Sequence, residues 1–139
     1  NRIAFEDGSN ATLNVHWYLN VYANYTNGTN ATNANISAWN KNGVFQFSQF
    51  TDSSGRIITQ TLLEYTQNGT IGNNITYYSN YTFNATSLVG TQNLTQSWNF
   101  SSHRDLLFTW TSSVRNIGSV ECDLCFDPKC YILWNVLHY

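Results

Sequence analysis

Charge is what this sequence most obviously lacks. Only 10% of its 139 residues are charged, against roughly 25% in an ordinary soluble domain. The six Lys and Arg residues are scattered along the chain, so no basic stripe is present that would neutralise phosphates. The sequence therefore predicts that nucleic acid is not a partner.

Long apolar runs and methionine are missing as well. No run approaches the roughly 18 residues that a membrane-spanning helix needs, and the chain contains no Met, not even at position 1. No signal-peptide pattern opens the chain, which favours a mature protein whose leader has been removed. We therefore expect no transmembrane segment and an extracellular location, either secreted or at the cell surface.

Asparagine is abundant, and much of it stands in sequons, the Asn-x-Ser/Thr triplets that accept N-linked glycans in exported proteins. The eleven candidate glycosylation sites are Asn10, Asn24, Asn27, Asn30, Asn35, Asn68, Asn74, Asn80, Asn84, Asn93 and Asn99. A chain rich in Asn, Ser and Thr produces such triplets by chance, so their number is only suggestive. N-linked glycans are the single non-protein group that the sequence predicts, and no cofactor is expected.

The phase of the sequons within predicted strands is the stronger argument, because alternate side chains of a strand lie on opposite faces. The apolar sets of three predicted strands are Leu13, Val15, Trp17, Leu19, Val21, Ala23 and Tyr25; Ile75, Tyr77, Tyr81 and Phe83; and Leu94, Trp98 and Phe100. The sequons of these strands fall on the opposite faces, at Asn24, Asn74, Asn80, Asn84, Asn93 and Asn99. This consistent placement predicts that the sequons are used.

Period-two alternation separated by turn residues recurs along the chain and predicts an all-β fold. The predicted strands are 12–26, 43–51, 56–66, 74–84, 93–101, 106–115, 119–126 and 130–139. We expect a single domain over residues 1–139, an antiparallel β-sandwich of about seven to eight strands, with an eight-stranded lipocalin-like barrel as the alternative. The three sequons at Asn24, Asn27 and Asn30 stand about 10 Å apart, so their glycans would crowd one another. Residues 27–42 are predicted to form an exposed, glycan-covered loop.

The first predicted strand is unusually long, since strands commonly have about five or six residues. Residues 1–26 therefore suggest an extended terminal strand that either contributes to both sheets of its own sandwich or pairs with a neighbouring subunit. The strand-exchange candidates are its inward residues Leu13, Val15, Trp17, Leu19 and Val21. The last predicted strand, 130–139, is apolar on both faces, which is typical of a doubly covered position.

Three cysteines near the end suggest one disulfide in an exported protein. Cys125 and Cys130 flank a turn sequence and are the preferred pair, while Cys122 with Cys130 is the alternative. A zinc site would need a fourth ligand where Asn135 stands, with His138 as the nearest substitute, so no metal is expected.

Catalytic motifs are incomplete. His103, Arg104 and Asp105 spell a kinase-like triplet, but Trp110 replaces the required Asn and no Gly-rich loop accompanies it. We interpret the triplet as part of a polar turn. His16 lies on the polar face of the first strand, where a solvated side chain is expected. The sequence therefore predicts that the protein is not an enzyme.

The eleven sequons and the long strand at residues 12–26 resemble the secreted surface glycoproteins of thermoacidophilic archaea, and within that group the subunits of thread-like filaments. The resemblance implies β-domains that polymerise when a terminal strand of one subunit completes the next. The leading hypothesis is a structural subunit of an extracellular filament or surface coat, which self-associates. The alternative is a glycan-shielded binding domain, as in a viral or parasite surface glycoprotein or a lipocalin-like carrier.

Overall fold

The fold was analysed in a computed structural model, which describes residues 5–6, 8–70, 74–89 and 92–112. Eight strands are present in this part of the chain, and no helix. They are β1 (Thr12–Tyr25), β2 (Asn35–Trp39), β3 (Phe45–Phe50), β4 (Gln60–Asn68), β5 (Asn74–Tyr77), β6 (Tyr81–Thr86), β7 (Asn93–Trp98) and β8 (Arg104–Trp110). The predictions for the two last strands, 119–126 and 130–139, lie outside the described residues.

The strands form two four-stranded sheets, so the prediction of an all-β fold is confirmed. Sheet A has the order β5-β4-β1-β8, and sheet B has the order β3-β2-β6-β7. Five of the strand pairs are antiparallel, but β1 and β8 run parallel. This parallel pair arises because the chain visits sheet B through β6 and β7 before it returns to sheet A.

Sheet B contains a strand that the sequence did not predict. Residues 27–42 were expected to be an exposed loop, and this expectation is wrong because β2 lies within them and pairs with both β3 and β6. Its inward residues Ile36 and Ala38 are fully buried. The strand was not predicted because the crowded sequons at Asn24, Asn27 and Asn30 suggested a loop and because the apolar side chains of β2 are small or few.

The predicted strand 74–84 is two strands that lie in different sheets. The chain leaves β5 in sheet A, passes Asn80 with a positive φ of 83°, and enters β6 in sheet B. Asparagine tolerates this left-handed conformation better than most residues, so the sheet change occurs at a sequon. The alternation of apolar residues continues without interruption through Asn80, so the sequence pattern did not show that one strand ends and another begins there.

The core lies between the sheets and is rich in aromatic side chains. Its largest fully buried members are Trp110, Tyr81, Phe83, Phe100 and Phe108. The Tyr81 hydroxyl donates a 2.7 Å hydrogen bond to the Leu63 carbonyl and so joins sheet B to sheet A. The edges of β7 and β8 are also linked, because Gln96 Nε2 donates to the Leu107 carbonyl at 2.8 Å.

One tight turn fastens the second half of β1. The Asp52 carboxylate accepts hydrogen bonds from the Ser54 amide and hydroxyl and from the Arg56 amide, and these bonds hold the pKa of Asp52 below its ordinary value. The Ala23 amide then donates a 2.8 Å hydrogen bond to the carbonyl of Gly55, whose φ is 75°. A Cβ at Gly55 would lie 2.3 Å from the Ala23 carbonyl oxygen, so this turn requires glycine.

Candidate glycosylation surface

All eleven sequon asparagines lie among the described residues, and none of them belongs to the core. Seven are exposed: Asn10, Asn27, Asn30, Asn74, Asn80, Asn93 and Asn99. Four are half-buried: Asn24, Asn35, Asn68 and Asn84. The fold therefore presents every candidate acceptor on its outer side.

The predicted phase agrees with the side-chain directions in β1, β6 and β7. In β1, Leu19, Val21 and Ala23 are buried while Asn24 faces outward. In β6, Tyr81 and Phe83 are buried while Asn84 faces outward. The prediction is wrong for Tyr77, which was assigned to an apolar inner set but is 48% exposed at the end of the short edge strand β5.

The outer face of sheet B brings three sequons together. Asn35 and Asn93 both lie opposite Thr86 of β6, one on each side, and Asn84 stands two residues earlier on the same strand. With strands about 4.8 Å apart and about 3.4 Å per residue, Asn35 and Asn93 are about 10 Å apart, and each is about 8 Å from Asn84. We call Asn35, Asn84 and Asn93 the sequon triangle.

The neighbours of the sequon triangle are uncharged. The strand positions that share this face are Ser37, Trp39, Ser48, Phe50, Thr82, Thr86, Thr95 and Ser97. Ser48 donates to Asn35 Oδ1 at 2.6 Å, and Thr86 donates to Asn93 Oδ1 at 2.9 Å. Both bonds use the amide oxygen, whereas a glycan would be attached to the nitrogen.

Asn84, at the centre of the face, carries an unusual polar atom. Its Oδ1 is buried and has no hydrogen-bond partner among the described residues. Leaving such an acceptor unsatisfied costs about 1–3 kcal/mol.

Two sequons in turns bond to their own threonines. The amide and hydroxyl of Thr29 both donate to Asn27 Oδ1, at 3.0 and 2.8 Å, and Thr70 bonds to Asn68 Oδ1 in the same way. These are Asx turns, in which an Asn side chain replaces a backbone acceptor. The hydroxyl that defines each sequon therefore contacts the amide that would carry the glycan.

The crowding predicted between residues 24 and 30 is closer than expected. Asn24 and Asn30 face each other across an isolated β-bridge, which places their Cα atoms about 5 Å apart. Asn30 is also engaged through both amide atoms, because its Nδ2 donates to the Ser53 carbonyl at 3.1 Å and its Oδ1 accepts from the Tyr22 hydroxyl at 2.8 Å. Asn30 is the acceptor that the fold makes least available.

The outer face of sheet A is different, because its centre has no sequon. Asn24 lies at one end of β1, and Asn68 lies opposite Thr12 at the other end. Between them, Tyr18 is 57% exposed, and Tyr22 stands beside Leu107, which is 52% exposed. We call Tyr18, Tyr22 and Leu107 the bare face.

Sequence reasoning missed both the sequon triangle and the bare face. Each depends on which strands are neighbours and on their register, and alternation within one strand carries no information about either.

The strand-exchange candidates Leu13, Val15, Trp17, Leu19 and Val21 all lie in β1, which pairs with β4 and β8 of the same chain. The disulfide candidates Cys122, Cys125 and Cys130, and the substitute ligand His138, lie outside the described residues. His103 and the two residues after it are not in a polar turn, which corrects the expectation, because Arg104 and Asp105 open β8.

No group of three or more His, Cys, Asp or Glu side chains able to hold a metal ion occurs among the described residues. The same part of the chain has no helix long and apolar enough to cross a membrane.

The fold and its surface define a β-sandwich whose asparagine acceptors all face outward. The chain matches no protein-family model, and neither the curated proteins nor the solved structures yielded a match. The function is therefore argued from the site alone.

Proposed function

We propose that this chain is a structural subunit of an extracellular, densely N-glycosylated filament or surface coat. The observation that carries the proposal is the outward placement of all eleven sequon asparagines, three of which form the sequon triangle on one uncharged face. Glycan on that face would supply the solvation that its missing charges do not supply. It would also cover backbone and aromatic surface against proteases.

Assembly by exchange of β1 stays a prediction. In the structure Leu19 and Val21 are at most 1% exposed, and β1 pairs with β4 from Thr12 to Leu19 and with β8 from Leu19 to Tyr25. A donated β1 would therefore have to fill an equivalent position in the next subunit, with its inward side chains buried there to the same extent. Assembly by contact between intact subunits avoids this rearrangement.

The proposal is tested on natively produced, full-length protein by glycopeptide mass spectrometry and by negative-stain imaging. We expect glycan on most of the eleven sites, with Asn30 the least occupied, and filaments or ordered arrays in the images. Thr95→Ala should remove the glycan of Asn93 alone, while Thr61→Ala, on an exposed strand position outside any sequon, should change no glycan. Unmodified peptides at all eleven sites, or only dispersed particles, would contradict the proposal.

The bare face favours a second candidate, a glycan-shielded binding domain. Tyrosine side chains are enriched in protein interfaces, and Tyr18 is 57% exposed between the sequons at the two ends of β1. Tyr22→Thr would convert Asn20 into a sequon and so place a glycan on the bare face. If the parent chain captures a partner and the Tyr22→Thr variant does not, the result would support the binding domain. If the variant still forms the same arrays as the parent, the bare face is not needed for assembly.

A further inference from the structure

An exposed aromatic side chain lies beside one member of the sequon triangle. Phe50, at the end of strand β3, is 63% exposed. Its direct partner across the β2–β3 pair is Asn35, and both side chains lie on the outer face of sheet B. Contact of a phenylalanine ring with water is unfavourable, so a group that covered this ring would stabilise the folded chain.

This juxtaposition is specific to Asn35 and Phe50. Four other large apolar side chains at paired strand positions of the described part are exposed, and each faces a residue that belongs to no sequon. The four pairs are Tyr18–Thr61, Tyr77–Tyr65, Leu107–Tyr22 and Phe45–Trp39. The last pair lies at the other end of β3, where the two rings pack on each other with centroids 6.0 Å apart.

The pairing brings the two side chains close together. The Thr51 amide donates to the Ala34 carbonyl at 2.9 Å, so these two residues form a hydrogen-bonded pair. The next pair, Asn35 with Phe50, is therefore a non-hydrogen-bonded one, in which the Cα atoms are only about 4.5 Å apart. Side chains in such a pair are closer than in a hydrogen-bonded pair, so a group attached to Asn35 begins directly beside the ring of Phe50.

The Asn35 amide is held by the atom that a glycan does not use. Ser48 Oγ donates to Asn35 Oδ1 at 2.6 Å, and Ser37 Oγ donates to Ser48 Oγ at 3.1 Å. Glycan attachment at Nδ2 leaves Oδ1 able to accept from Ser48, so this bond can persist in the modified protein. Because the bond restricts rotation of the side chain, it lowers the entropic cost of holding an attached sugar near Phe50.

We propose that Phe50 is a platform on which the first sugar of the Asn35 glycan packs. The face of an aromatic ring is negative, whereas a pyranose with equatorial hydroxyls presents a face of weakly positive axial C–H groups. Stacking of the two faces removes apolar surface of both from water. The ligand is therefore a sugar of glucose-like configuration, attached to the same chain.

This inference rests on the proposed function, because it requires glycan at Asn35. It adds that the glycan is packed as part of the folded structure, in contact with a ring of β3, and is more than a mobile cover over sheet B.

A double-mutant cycle on the unfolding of the full-length chain tests the platform. The four proteins are the parent, Phe50→Leu, Ser37→Ala and the double variant, produced in a host that attaches N-linked glycan. Ser37→Ala removes the sequon of Asn35, whereas Phe50→Leu keeps an apolar side chain without a ring. We expect Phe50→Leu to change the unfolding equilibrium constant at least about threefold more when the sequon is intact.

Two controls separate the sugar from the protein around it. The same four proteins from a host without N-glycosylation should show no coupling between positions 37 and 50. Phe45→Leu is the matched variant, because Phe45 is 55% exposed on the same strand but faces Trp39. In the glycosylating host, Phe45→Leu should therefore show no coupling with Ser37→Ala.

Proton NMR of the glycosylated parent gives a direct readout, because the ring current of a stacked aromatic side chain shifts sugar protons upfield. We expect upfield sugar signals that are lost in Phe50→Leu and kept in Phe45→Leu. Absence of coupling in the glycosylated set, equal coupling in the unglycosylated set, or sugar signals that Phe50→Leu leaves in place overturns the proposal. Glycopeptide maps distinguish the two failures, since an unmodified Asn35 overturns the platform alone, whereas unmodified peptides at all eleven sites overturn the glycan coat as well.

Discussion

The two halves of β1 follow the same alternating pattern but are buried to different degrees. In the second half, Leu19, Val21 and Ala23 are at most 1% exposed. In the first half, Leu13, Val15 and Trp17 are only half-buried. The second half has β8 beside it and the tight turn at Gly55 bonded to Ala23, whereas β4 is the only strand of the described part that pairs with residues 12–17.

The difference shows that coverage by other strands, rather than the pattern within a strand, sets the burial of each side chain. Both halves would contribute equally to stability if alternation decided burial. Because hydrophobic stabilisation grows with the apolar area removed from water, the second half should contribute more to the stability of the fold than the first half.

The largest expected effect comes from truncating the fully buried half. Leu19→Ala should lower the free energy of unfolding by about 2–5 kcal/mol, the range for a buried leucine whose removal leaves a cavity. Leu13→Ala, the same change in the half-buried half, should cost less than about half as much, because its surroundings relax into solvent more easily. Urea denaturation of both variants, at the same low protein concentration, makes the comparison. Equal losses at the two positions would remove the distinction between the halves.

The next effect concerns the turn that fastens the second half. Gly55→Ala should cost about 2 kcal/mol or more, since a Cβ meets the Ala23 carbonyl oxygen and the φ is positive. Gly28→Ala is the matched control, because its φ is also positive, at 86°, but nothing lies within 4 Å of the added Cβ. Gly28→Ala should therefore cost about 1 kcal/mol, from backbone strain alone. Thermal unfolding of the two variants measures both losses of stability. Equal losses would mean that a small shift relieves the clash at Ala23.

Alternation in the sequence was sufficient to predict the all-β class, the outward side of the sequons in β1, β6 and β7, and the position of β1 to within a residue. It was insufficient for β2, because one of its two fully buried residues, Ala38, has a small side chain that a hydrophobic pattern barely registers. Of the two alternatives for the long first strand, a contribution to both sheets is wrong, since β1 lies in sheet A alone, and pairing with a neighbouring subunit stays a prediction.

The parts of the site that escaped prediction are all nonlocal. The sequon triangle needs the order β2-β6-β7, and the bare face needs the pairing of β1 with β8. Strand order and register are fixed by packing between distant segments, so a single sequence gives no access to them. The Asx turns at Asn27 and Asn68 are local by contrast, and the Asn-Gly pairs that begin both sequons are the signal that would have found them.

A smaller effect is expected where the two sheets are tied beside the first half of β1. Tyr81→Phe removes the hydroxyl that donates to Leu63, a residue opposite His16, and leaves the carbonyl unsatisfied. The expected loss is about 1–2 kcal/mol. Tyr77→Phe, on an exposed ring, should change stability by less than about 0.5 kcal/mol. Burial raises the pKa of Tyr81, so the folded state favours its neutral phenol. The resulting stability is present below the ordinary pKa of 10.0 and is lost as the pH rises above it.

The smallest effect should be seen at Asp52, which supports the Gly55 turn from the solvent side. Its pKa is lowered chiefly by the Ser54 hydroxyl and then by the Arg56 amide, so the folded state favours the ionised carboxylate. The resulting stability is present above the ordinary pKa of 3.8 and is lost as the pH falls through the lower, folded value. Asp52→Ala, which unlike Asp52→Asn creates no sequon with Ser54, should therefore be slightly less stable than the parent at neutral pH, and the difference should shrink as the pH falls below about 4. Urea midpoints measured between pH 7 and pH 2 test this, with Asp105→Ala as the control on the outer face of β8. A gap between parent and Asp52→Ala that stays constant over the whole range would assign the loss to turn geometry, and the second half of β1 would then be fastened by Gly55 without help from the charge.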